Sequence, residues 1–363
     1  MRPQLIPGWP IHSYGLMLVI AFYAGYFLSR RTAAREGVNP DRMIDVLLIG
    51  AVLGILGARL FFVVQYGVSG FWQMFAVWQG GLVFYGGAGL ATAGLLIYLW
   101  KKQLPVWRMA DAAAPAIMLG LGLARIGCFL NGCCWGAITD EAHPRAVRFP
   151  RIIASSTFTP PRGRTLEAEG QWRVVVRHKP EQHGCCGAGP AGSPGHRHRD
   201  ETVTPDRAVE IYREAPAPEA LSFIWVKYER LPDGQARQHR IAGSPAFLQH
   251  LMLEPDRIGP DDQRSLPVHP SQLYATVAAF IICGLLLWWR RFRRRPGEVF
   301  AAMGVLYALA RFGLEYFRSD TPSVLLGMNM GQLVGLPVLV VALAALIYCR
   351  VRPAKVDIGG ERA

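Results

Sequence analysis

Charged residues are scarce in this sequence of 363 residues, where they make up 18% of the chain, against roughly 25% in an average soluble domain. Acidic residues are the scarcer sign: 26 Asp and Glu stand against 39 Lys and Arg, which gives a net charge of +13. Most basic residues flank apolar runs instead of forming a polar face, which argues against nucleic-acid binding. The composition favours a protein that works against an anionic membrane.

Three further features are missing. The seven cysteines follow no regular framework, so they do not predict a disulfide scaffold. No internal repeat is seen, which argues against a small-solute transporter built on inverted halves. The first 13 residues contain three prolines and no small-residue cleavage site, so we expect no removable signal peptide there.

Long apolar runs are abundant, and 51% of the sequence is hydrophobic. Each run is near the ~20 residues that a membrane helix needs. We therefore predict an all-α polytopic membrane protein with seven spans, at about residues 14–29, 43–66, 81–100, 110–130, 271–289, 298–317 and 332–349. The predicted organisation is residues 1–136 with spans one to four, a head at 137–266, and residues 267–363 with spans five to seven and a tail.

The short loops differ sharply in basic content. Lys and Arg cluster after spans one, three and five, whereas the loops 67–80 and 318–331 contain only Arg318. By the positive-inside rule, the N-terminus is expected to be extracytoplasmic and the C-terminus cytoplasmic. The head is then extracytoplasmic as well, because long loops cross largely regardless of their charge.

The predicted head is uneven in composition. Alternating or β-branched runs predict short strands at 146–153, 172–176 and 221–228. Between them, residues 180–205 are rich in Gly, Pro, His and charge, and we interpret this stretch as a flexible insert. His183, His196 and His198 lie within it, and a flexible loop is favoured there over a metal site.

Three arginines lie inside the apolar spans. Arg59, Arg125 and Arg311 fall near the predicted outer ends of spans two, four and six. A charge costs roughly 2.5–3.5 kcal/mol at mid-bilayer on insertion scales, and guanidinium groups match phosphate oxygens. A channel or pump would more often place such groups at the midplane or along the whole path. The pattern predicts a site for the phosphate of an outer-leaflet lipid. The alternatives are snorkelling of Arg125 to the interface and a local helical pair of Arg311 with Glu315.

Motifs around these arginines resemble those of a known family. Residues 125–136 read RIGCFLNGCCWG, which resembles the signature of the prolipoprotein diacylglyceryl transferases. Similar motifs follow in that family's order: YGL at 14–16, GAR at 57–59, GGLVFYGG at 80–87, PRAVRFP at 144–150, HPSQLY at 269–274, RFGLEYFR at 311–318 and MGQ at 330–332. The resemblance covers about residues 11–150 and 267–337.

The resemblance implies a transferase of the bacterial inner membrane and no cofactor or metal. Its substrates would be phosphatidylglycerol and prolipoprotein signal peptides, whose lipobox cysteine receives the diacylglyceryl group in the first step of lipoprotein maturation. The implied catalytic residues are Tyr85, Arg311 and Glu315. The residues implied in phosphatidylglycerol binding are Arg125, Arg59, Tyr14, Gly136 and His269. Arg125 and Arg311 would bind the donor phosphate, with Glu315 orienting Arg311.

Several motif positions depart from the family pattern. Tyr85 stands where the family has a histidine, and Cys128, Cys133 and Ala275 stand where it has Asn, Glu and Glu. Tyrosine, with a pKa near 10, is a poorer base at neutral pH than histidine. The alternative to an active transferase is therefore a non-catalytic relative that binds lipid or preprotein.

Cysteines replace polar residues at the end of the signature. Cys128, Cys133 and Cys134 lie close to the predicted oxidising side of the membrane. A disulfide that fixes the turn after span four is the favoured interpretation, and the sequence leaves the pairing open. A metal site is the less favoured one, because no histidine lies nearby in the sequence.

Overall fold

The structure is a computed structural model. It describes residues 13–66, 83–140, 142–151, 153–158, 170–178, 201–214, 221–232, 235–241, 245–317, 323–325 and 328–351. Within these ranges the α-helices are α1 (Ser13–Arg35), α2 (Arg42–Tyr66), α3 (Phe84–Lys101), α4 (Val106–Asn131), α5 (Pro205–Glu214), α6 (Pro245–Leu253), α7 (Ser271–Trp289), α8 (Glu298–Glu315) and α9 (Met330–Val351). A single 3-10 turn, Arg290–Phe292, extends α7.

Helices occupy all seven apolar runs that the sequence predicts as spans. By length and apolar composition, four of the described helical segments can cross a membrane: Arg42–Val64, Val106–Asn131, Ser271–Phe292 and Gln332–Val351. They correspond to α2, α4, α7 with its 3-10 turn, and α9. Membrane crossing by α1, α3 and α8 stays a prediction. The chain is thus mostly helical, as a membrane protein of this hydrophobicity is expected to be.

The described residues fall into two compact units. The first unit contains Leu53–Leu90 and Arg148–Pro267, and the second unit contains the rest of the described chain. The first unit therefore includes the end of α2, the start of α3 and the strands of the predicted head. The second unit includes α1, α4, α7, α8 and α9.

In the second unit, α4 packs against α1, α7 and α8, and α9 packs on α8. A small residue permits the close approach of α4 and α7: a Cβ at Gly122 would lie 2.7 Å from the Cδ1 atom of Phe280. One apolar cluster joins α4, α7 and α8 around Met118 and Leu286. Such small-residue contacts and interdigitating side chains are how apolar helices associate where burial from water contributes little.

At one end of this bundle, a buried network of ion pairs and hydrogen bonds connects the helices. The Asp111 carboxylate in α4 accepts hydrogen bonds from the backbone N–H groups of Gly297, at 2.8 Å, and Phe300, at 2.9 Å, at the start of α8. Arg293 donates to both Asp111 and Glu36. Acids at a helix N-terminus satisfy its unpaired N–H groups and its positive dipole end. The network fixes α1, α4 and α8 to one another at the end predicted to be cytoplasmic.

The first unit contains a five-stranded antiparallel sheet in the order β1-β5-β4-β2-β3. Its strands are β1 (Ile153–Phe158), β2 (Arg173–His178), β3 (Glu201–Val203), β4 (Leu221–Arg230) and β5 (Ala236–Ile241). Val174, Val176 and Trp225 are buried on the sheet. Two further short strands, β6 (Ser323–Leu325) and β7 (Met328–Asn329), form a separate pair before α9.

The predicted strands of the head are only partly right. Strands β2 and β4 confirm the predictions at 172–176 and 221–228. The predicted strand at 146–153 is wrong: Val147 and Pro150 make only isolated bridges, and β1 begins at Ile153. A proline lacks the N–H that a ladder needs, so Pro150 interrupts pairing there.

The predicted flexible insert is also only partly supported. Residues 180–200, with His183, His196 and His198, lie outside the described residues. Residues 201–203 form β3, however, and Pro205 begins α5, so the end of the predicted insert was wrong. Proline at the first position of a helix loses no hydrogen bond, which is why a proline-containing segment can start α5.

Candidate functional site

The signature motif ends in a tight turn at the C-terminus of α4. Gly132 has a left-handed φ of 73°, which glycine adopts at little cost. Its N–H donates to the carbonyl of Phe129 at 3.2 Å, and the N–H of Cys133 donates to the carbonyl of Cys128 at 3.1 Å. These two bonds define a Schellman motif, which ends the helix and turns the chain back on its last turn.

Beyond this turn the chain is joined by backbone hydrogen bonds to two other motifs. The Gly136 N–H donates to the His269 carbonyl at 2.9 Å, and the His269 N–H donates to the Ala137 carbonyl at 3.0 Å. The Ala137 N–H donates to the carbonyl of Phe317 at 2.8 Å. The segment that follows α4 thus connects the residues before α7 to those after α8.

Gly136 is required by the closeness of this contact. A Cβ at this position would collide with the carbonyl oxygen of Phe317 and lie 2.8 Å from that of His269. No larger residue fits without moving the backbone. The structure thus gives Gly136 a packing role where three chain segments meet. Its predicted part in phosphatidylglycerol binding stays a prediction.

Two polar residues at the start of α7 hold the signature turn. Gln272 is 1% exposed, and its side-chain amide donates to the carbonyl of Cys133 at 2.7 Å. The Ser271 hydroxyl donates to the carbonyl of Cys134 at 2.9 Å. The sequence analysis did not predict that Ser271 and Gln272 bind the signature turn. The signal that could have indicated it is a pair of polar residues at the start of an apolar span. Buried donors of this kind are rarely left without acceptors.

Tyr14 and Arg125 lie beside the turn. Tyr14, in the first turn of α1, packs on α4 where a Cβ at Gly127 would lie 3.1 Å from its Cδ2 atom. It is within electrostatic range of Arg125 and of the thiols that follow. Arg125 is partly buried, and none of the described residues forms a salt bridge with it. The local i,i+4 pairing that serves Arg311 is thus not available to Arg125.

Arg311 and Glu315 form an ion pair on α8. Arg311 Nη2 lies 2.9 Å from Glu315 Oε2, and the Glu315 side chain is only 1% exposed. The Arg311 side chain is 25% exposed. A buried carboxylate four residues along the helix fixes the guanidinium in one orientation, with part of it turned to the surroundings. The predicted local pair therefore exists, and it leaves room for Arg311 to contact a ligand.

His269 lies in a cluster of aromatic rings. Its ring centroid is 4.6 Å from that of His143, 5.6 Å from that of Phe317 and 6.4 Å from that of Tyr274. Burial lowers the pKa of His269, with a smaller contribution from His143. The ring is therefore held neutral near pH 7. Its Nδ1 atom is buried without a hydrogen-bond partner among the described residues.

Arg59 and Tyr85 lie in the first unit, on α2 and α3. Arg59 is 1% exposed, and its guanidinium lies over the ring of Phe62, 5.2 Å from the centroid. Tyr85 is 48% exposed. The two helices meet through glycines: a Cβ at Gly57 would lie 2.5 Å from the carbonyl oxygen of Gly86. The GAR and GGLVFYGG motifs thus pack against each other backbone to backbone.

The cysteine prediction needs correction. Among the described residues, no disulfide joins Cys128, Cys133 and Cys134, which are present as thiols. Their sulfur atoms nevertheless all lie within 4.8 Å of one another. The Schellman motif explains the closeness of the first two, because it brings the residue after the left-handed glycine back to the last helical turn.

Comparisons with known proteins agree with this reading. The family model for prolipoprotein diacylglyceryl transferase matches residues 4–348. A phosphatidylglycerol–prolipoprotein diacylglyceryl transferase of Paraburkholderia phymatum is 28% identical over 350 residues, covering 92% of this chain and 88% of the relative. One of Rhodopirellula baltica is 28% identical over 373 residues, covering 93% and 72%. One of Geobacter sulfurreducens is 41% identical over 145 residues, covering 38% and 54%. On the combined evidence of its apolar helices, its motif order and a family match over nearly its whole length, the chain belongs to the prolipoprotein diacylglyceryl transferase family.

Proposed function

We propose that this protein transfers the diacylglyceryl group of phosphatidylglycerol to the lipobox cysteine of bacterial prolipoproteins, the first step of lipoprotein maturation. The observation that carries the proposal is the hydrogen-bonded junction of Gly136, Ala137, His269 and Phe317. It joins the end of the α4 segment that carries Arg125 to the end of α8, which carries Arg311 and Glu315. The motifs that the family resemblance ties to lipid binding are distant in sequence. At this junction, backbone hydrogen bonds join the ends of three of them.

The proposed chemistry is a substitution at a glyceryl carbon. The acceptor thiol loses its proton, and the thiolate attacks the carbon that is bonded to the phosphate oxygen. A carbon–sulfur bond forms, the carbon–oxygen bond breaks, and its electron pair leaves with glycerol phosphate. Negative charge therefore grows on the phosphate oxygens, and positioned cations stabilise it most in a site with little water.

Arg125 and Arg311 suit the phosphate in different ways. Arg125 forms no salt bridge with any described residue, so its charge is available to an anion. Arg311 is oriented by the buried carboxylate of Glu315 at 2.9 Å. Guanidinium forks can contact two phosphate oxygens at once, and such charge-assisted bonds are stronger than neutral ones. We assign Tyr14 and His269 to the surroundings of this phosphate. The proposed part of Arg59, in support of the lipid headgroup, rests on the family resemblance alone.

Tyr85 is the proposed proton acceptor or relay for the thiol. Its half-exposed side chain is open to an incoming group. Replacing Tyr85 by Phe removes only the hydroxyl, and loss of general-base assistance typically lowers a rate by roughly 100-fold or more. The matched control is Tyr23→Phe, since Tyr23 is an exposed tyrosine of α1. Equal transfer rates in Tyr85→Phe and the wild type would remove Tyr85 from the mechanism.

The proposal extends to topology and location. We propose that α1, α2, α3, α4, α7, α8 and α9 are seven spans of the bacterial inner membrane. The N-terminus and the head at 137–266 would be extracytoplasmic, and the C-terminus cytoplasmic, in keeping with the basic loops after spans one, three and five. Cysteine-accessibility labelling of single introduced cysteines in loops 36–41 and 102–105 tests it, because both should react only from the cytoplasmic side.

The activity itself is tested with purified protein in phosphatidylglycerol vesicles and a peptide that carries a lipobox cysteine. Intact-peptide mass should increase by one diacylglyceryl group, and alkylation of the peptide thiol should prevent the increase. Arg125→Ala should abolish transfer, whereas Arg108→Ala, an exposed arginine at the other end of α4, should not. Normal transfer by Arg125→Ala contradicts the proposed site. A wild-type protein that binds the peptide without any mass gain is the non-catalytic relative instead.

A further inference from the structure

Three thiols meet at the end of the signature helix. Cys128 lies in the last turn of α4, and Cys133 and Cys134 follow its terminal glycine; their sulfur atoms are all within 4.8 Å of one another. In a Schellman motif the residue after the left-handed glycine contacts the residue five positions before it, usually through apolar side chains. Here both positions of that contact are cysteines, Cys133 and Cys128.

The third thiol is brought in at a conformational cost. Cys134 has a φ of 59°, in the left-handed region that side-chain-bearing residues seldom adopt. A backbone held in this region is strained, and the surrounding structure must stabilise it. Two side-chain hydrogen bonds stabilise this backbone. The Gln272 amide donates to the carbonyl of Cys133 at 2.7 Å, and the Ser271 hydroxyl donates to the carbonyl of Cys134 at 2.9 Å. The backbone is thus fixed by α7, while the side chains converge on one another.

A divalent thiophilic cation fits this arrangement. In a tetrahedral zinc site with Zn–S bonds of about 2.3 Å, the sulfur atoms are roughly 3.8 Å apart. The present limit of 4.8 Å is within a small side-chain rotation of that value. We propose that Cys128, Cys133 and Cys134 form a three-thiolate site for a Zn²⁺-class ion, which leaves a fourth coordination position open.

The open coordination position lies where the acceptor thiol of a prolipoprotein could bind. This part of the inference rests on the proposed transferase function. The cluster lies one helical turn from Arg125 and within electrostatic range of Tyr14. A zinc ion with three protein ligands and an open fourth position is characteristic of catalytic rather than structural sites. A peptide thiol that takes this position would displace a water molecule, give up its proton to the acceptor or relay proposed above, Tyr85, and remain bound as a thiolate. The ion would thereby hold the acceptor cysteine in its nucleophilic state beside the proposed phosphate site.

Metal binding is tested on the full-length protein in detergent with Co²⁺ as the probe. The reduced wild type should bind one Co²⁺ per chain with thiolate charge-transfer absorption. Cys128→Ser, Cys133→Ser and Cys134→Ser should each lower the absorption by roughly a third or abolish binding, because each removes one soft ligand. Cys283→Ser, in the interior of α7, and Cys185→Ser are the controls and should leave the absorption unchanged. Fully reduced protein with no charge-transfer band overturns the proposal, and so does a band that only Cys185→Ser removes.

Folding and oxidation are separated from metal binding by two further measurements. Co²⁺ should raise the melting temperature of the wild type but not of the Cys→Ser variants. A variant that melts cooperatively without metal is folded, so its unchanged melting temperature with Co²⁺ shows a loss of metal binding and not a loss of folding. Protein purified without reductant or chelator should contain about one zinc per chain and react as thiols after the metal is removed. A disulfide between two of the three cysteines, with no bound metal, overturns the proposal.

The open position is tested by adding a lipobox peptide to the Co²⁺-loaded protein. A fourth thiolate should increase the charge-transfer absorption, and the same peptide with serine in place of its cysteine should not. Metal binding with no response to either peptide contradicts the open position while leaving the three-thiolate site. Loss of diacylglyceryl transfer would leave both absorption results untouched, so failure of the proposed function and failure of this inference are distinguishable.

Discussion

The Gly136 N–H donates to the His269 carbonyl at 2.9 Å, across 133 residues of sequence, and a Cβ on Gly136 would lie 2.8 Å from that same carbonyl oxygen. This one contact joins the family signature to the HPSQLY motif. It leaves no space for a side chain, so the identity of residue 136 and the geometry of the junction depend on each other.

Gly136→Ala should separate the segments that meet at this junction. Overpacking of this kind typically costs about 1–3 kcal/mol, and we expect a lower melting temperature together with a loss of lipid transfer. Gly284→Ala in α7 is the matched control, since a Cβ there has nothing within 4 Å. Wild-type melting and transfer in Gly136→Ala would show that the junction tolerates a wider spacing and is not what aligns the site.

Glu315→Gln should weaken lipid transfer by freeing Arg311. The substitution preserves the shape of the side chain but removes the charge that lies 2.9 Å from the guanidinium. We expect a fall of roughly 10-fold or more in transfer rate, because a misplaced positioning group commonly costs that much. The fall should be smaller when Arg311 is already Lys, since coupled residues are not additive. Fully additive losses in the double variant would show that Glu315 acts independently of Arg311.

Gly57→Ala should force α2 and α3 apart within the first unit. The new Cβ would lie 2.5 Å from the Gly86 carbonyl oxygen and 2.6 Å from the Leu90 Cβ atom. A destabilisation of about 1–3 kcal/mol is expected and should appear as a lower melting temperature. Gly89→Ala on α3 is the control, because a Cβ there meets open space; it should be neutral or slightly stabilising, as alanine favours helix. Equal melting temperatures for the two variants would refute the close helix contact.

The head should lose stability as the pH falls below neutrality because of His250. Burial lowers the pKa of His250 to about 4, with Arg257 adding to the effect. The unfolded ring takes up its proton near pH 6.5, so the neutral buried ring stabilises the fold fully above that pH. This stability, on the order of 3 kcal/mol, is lost progressively as the pH falls from 6.5 towards 4.

Hydrogen exchange of α6, corrected for intrinsic rates, measures this loss between pH 7 and pH 5. His250→Gln should flatten the pH dependence because the group that titrates is gone. Unchanged protection of α6 in the wild type across this pH range would show that the buried histidine does not titrate as inferred.

The apolar runs and the motif order were readable from the sequence because they depend on local composition. Membrane helices need a continuous apolar stretch, so helices appear at each predicted span, and the alternating runs at 172–176 and 221–228 became β2 and β4. The head was predicted least well. Strands β1, β3 and β5 and helices α5 and α6 depend on their partners in the sheet more than on their own pattern.

The sequence by itself determined that Arg125, Arg311 and Glu315 are unusual residues in apolar helices, and which family their motifs resemble. Only the tertiary structure decided that Gly136 and His269 meet, that Gln272 holds the turn, and that three cysteines converge as thiols. The physical reason is that these contacts close loops of more than a hundred residues or rest on a left-handed backbone turn. Contacts between distant segments and single left-handed residues produce no repeating pattern of apolar and polar residues, so a sequence pattern does not predict them.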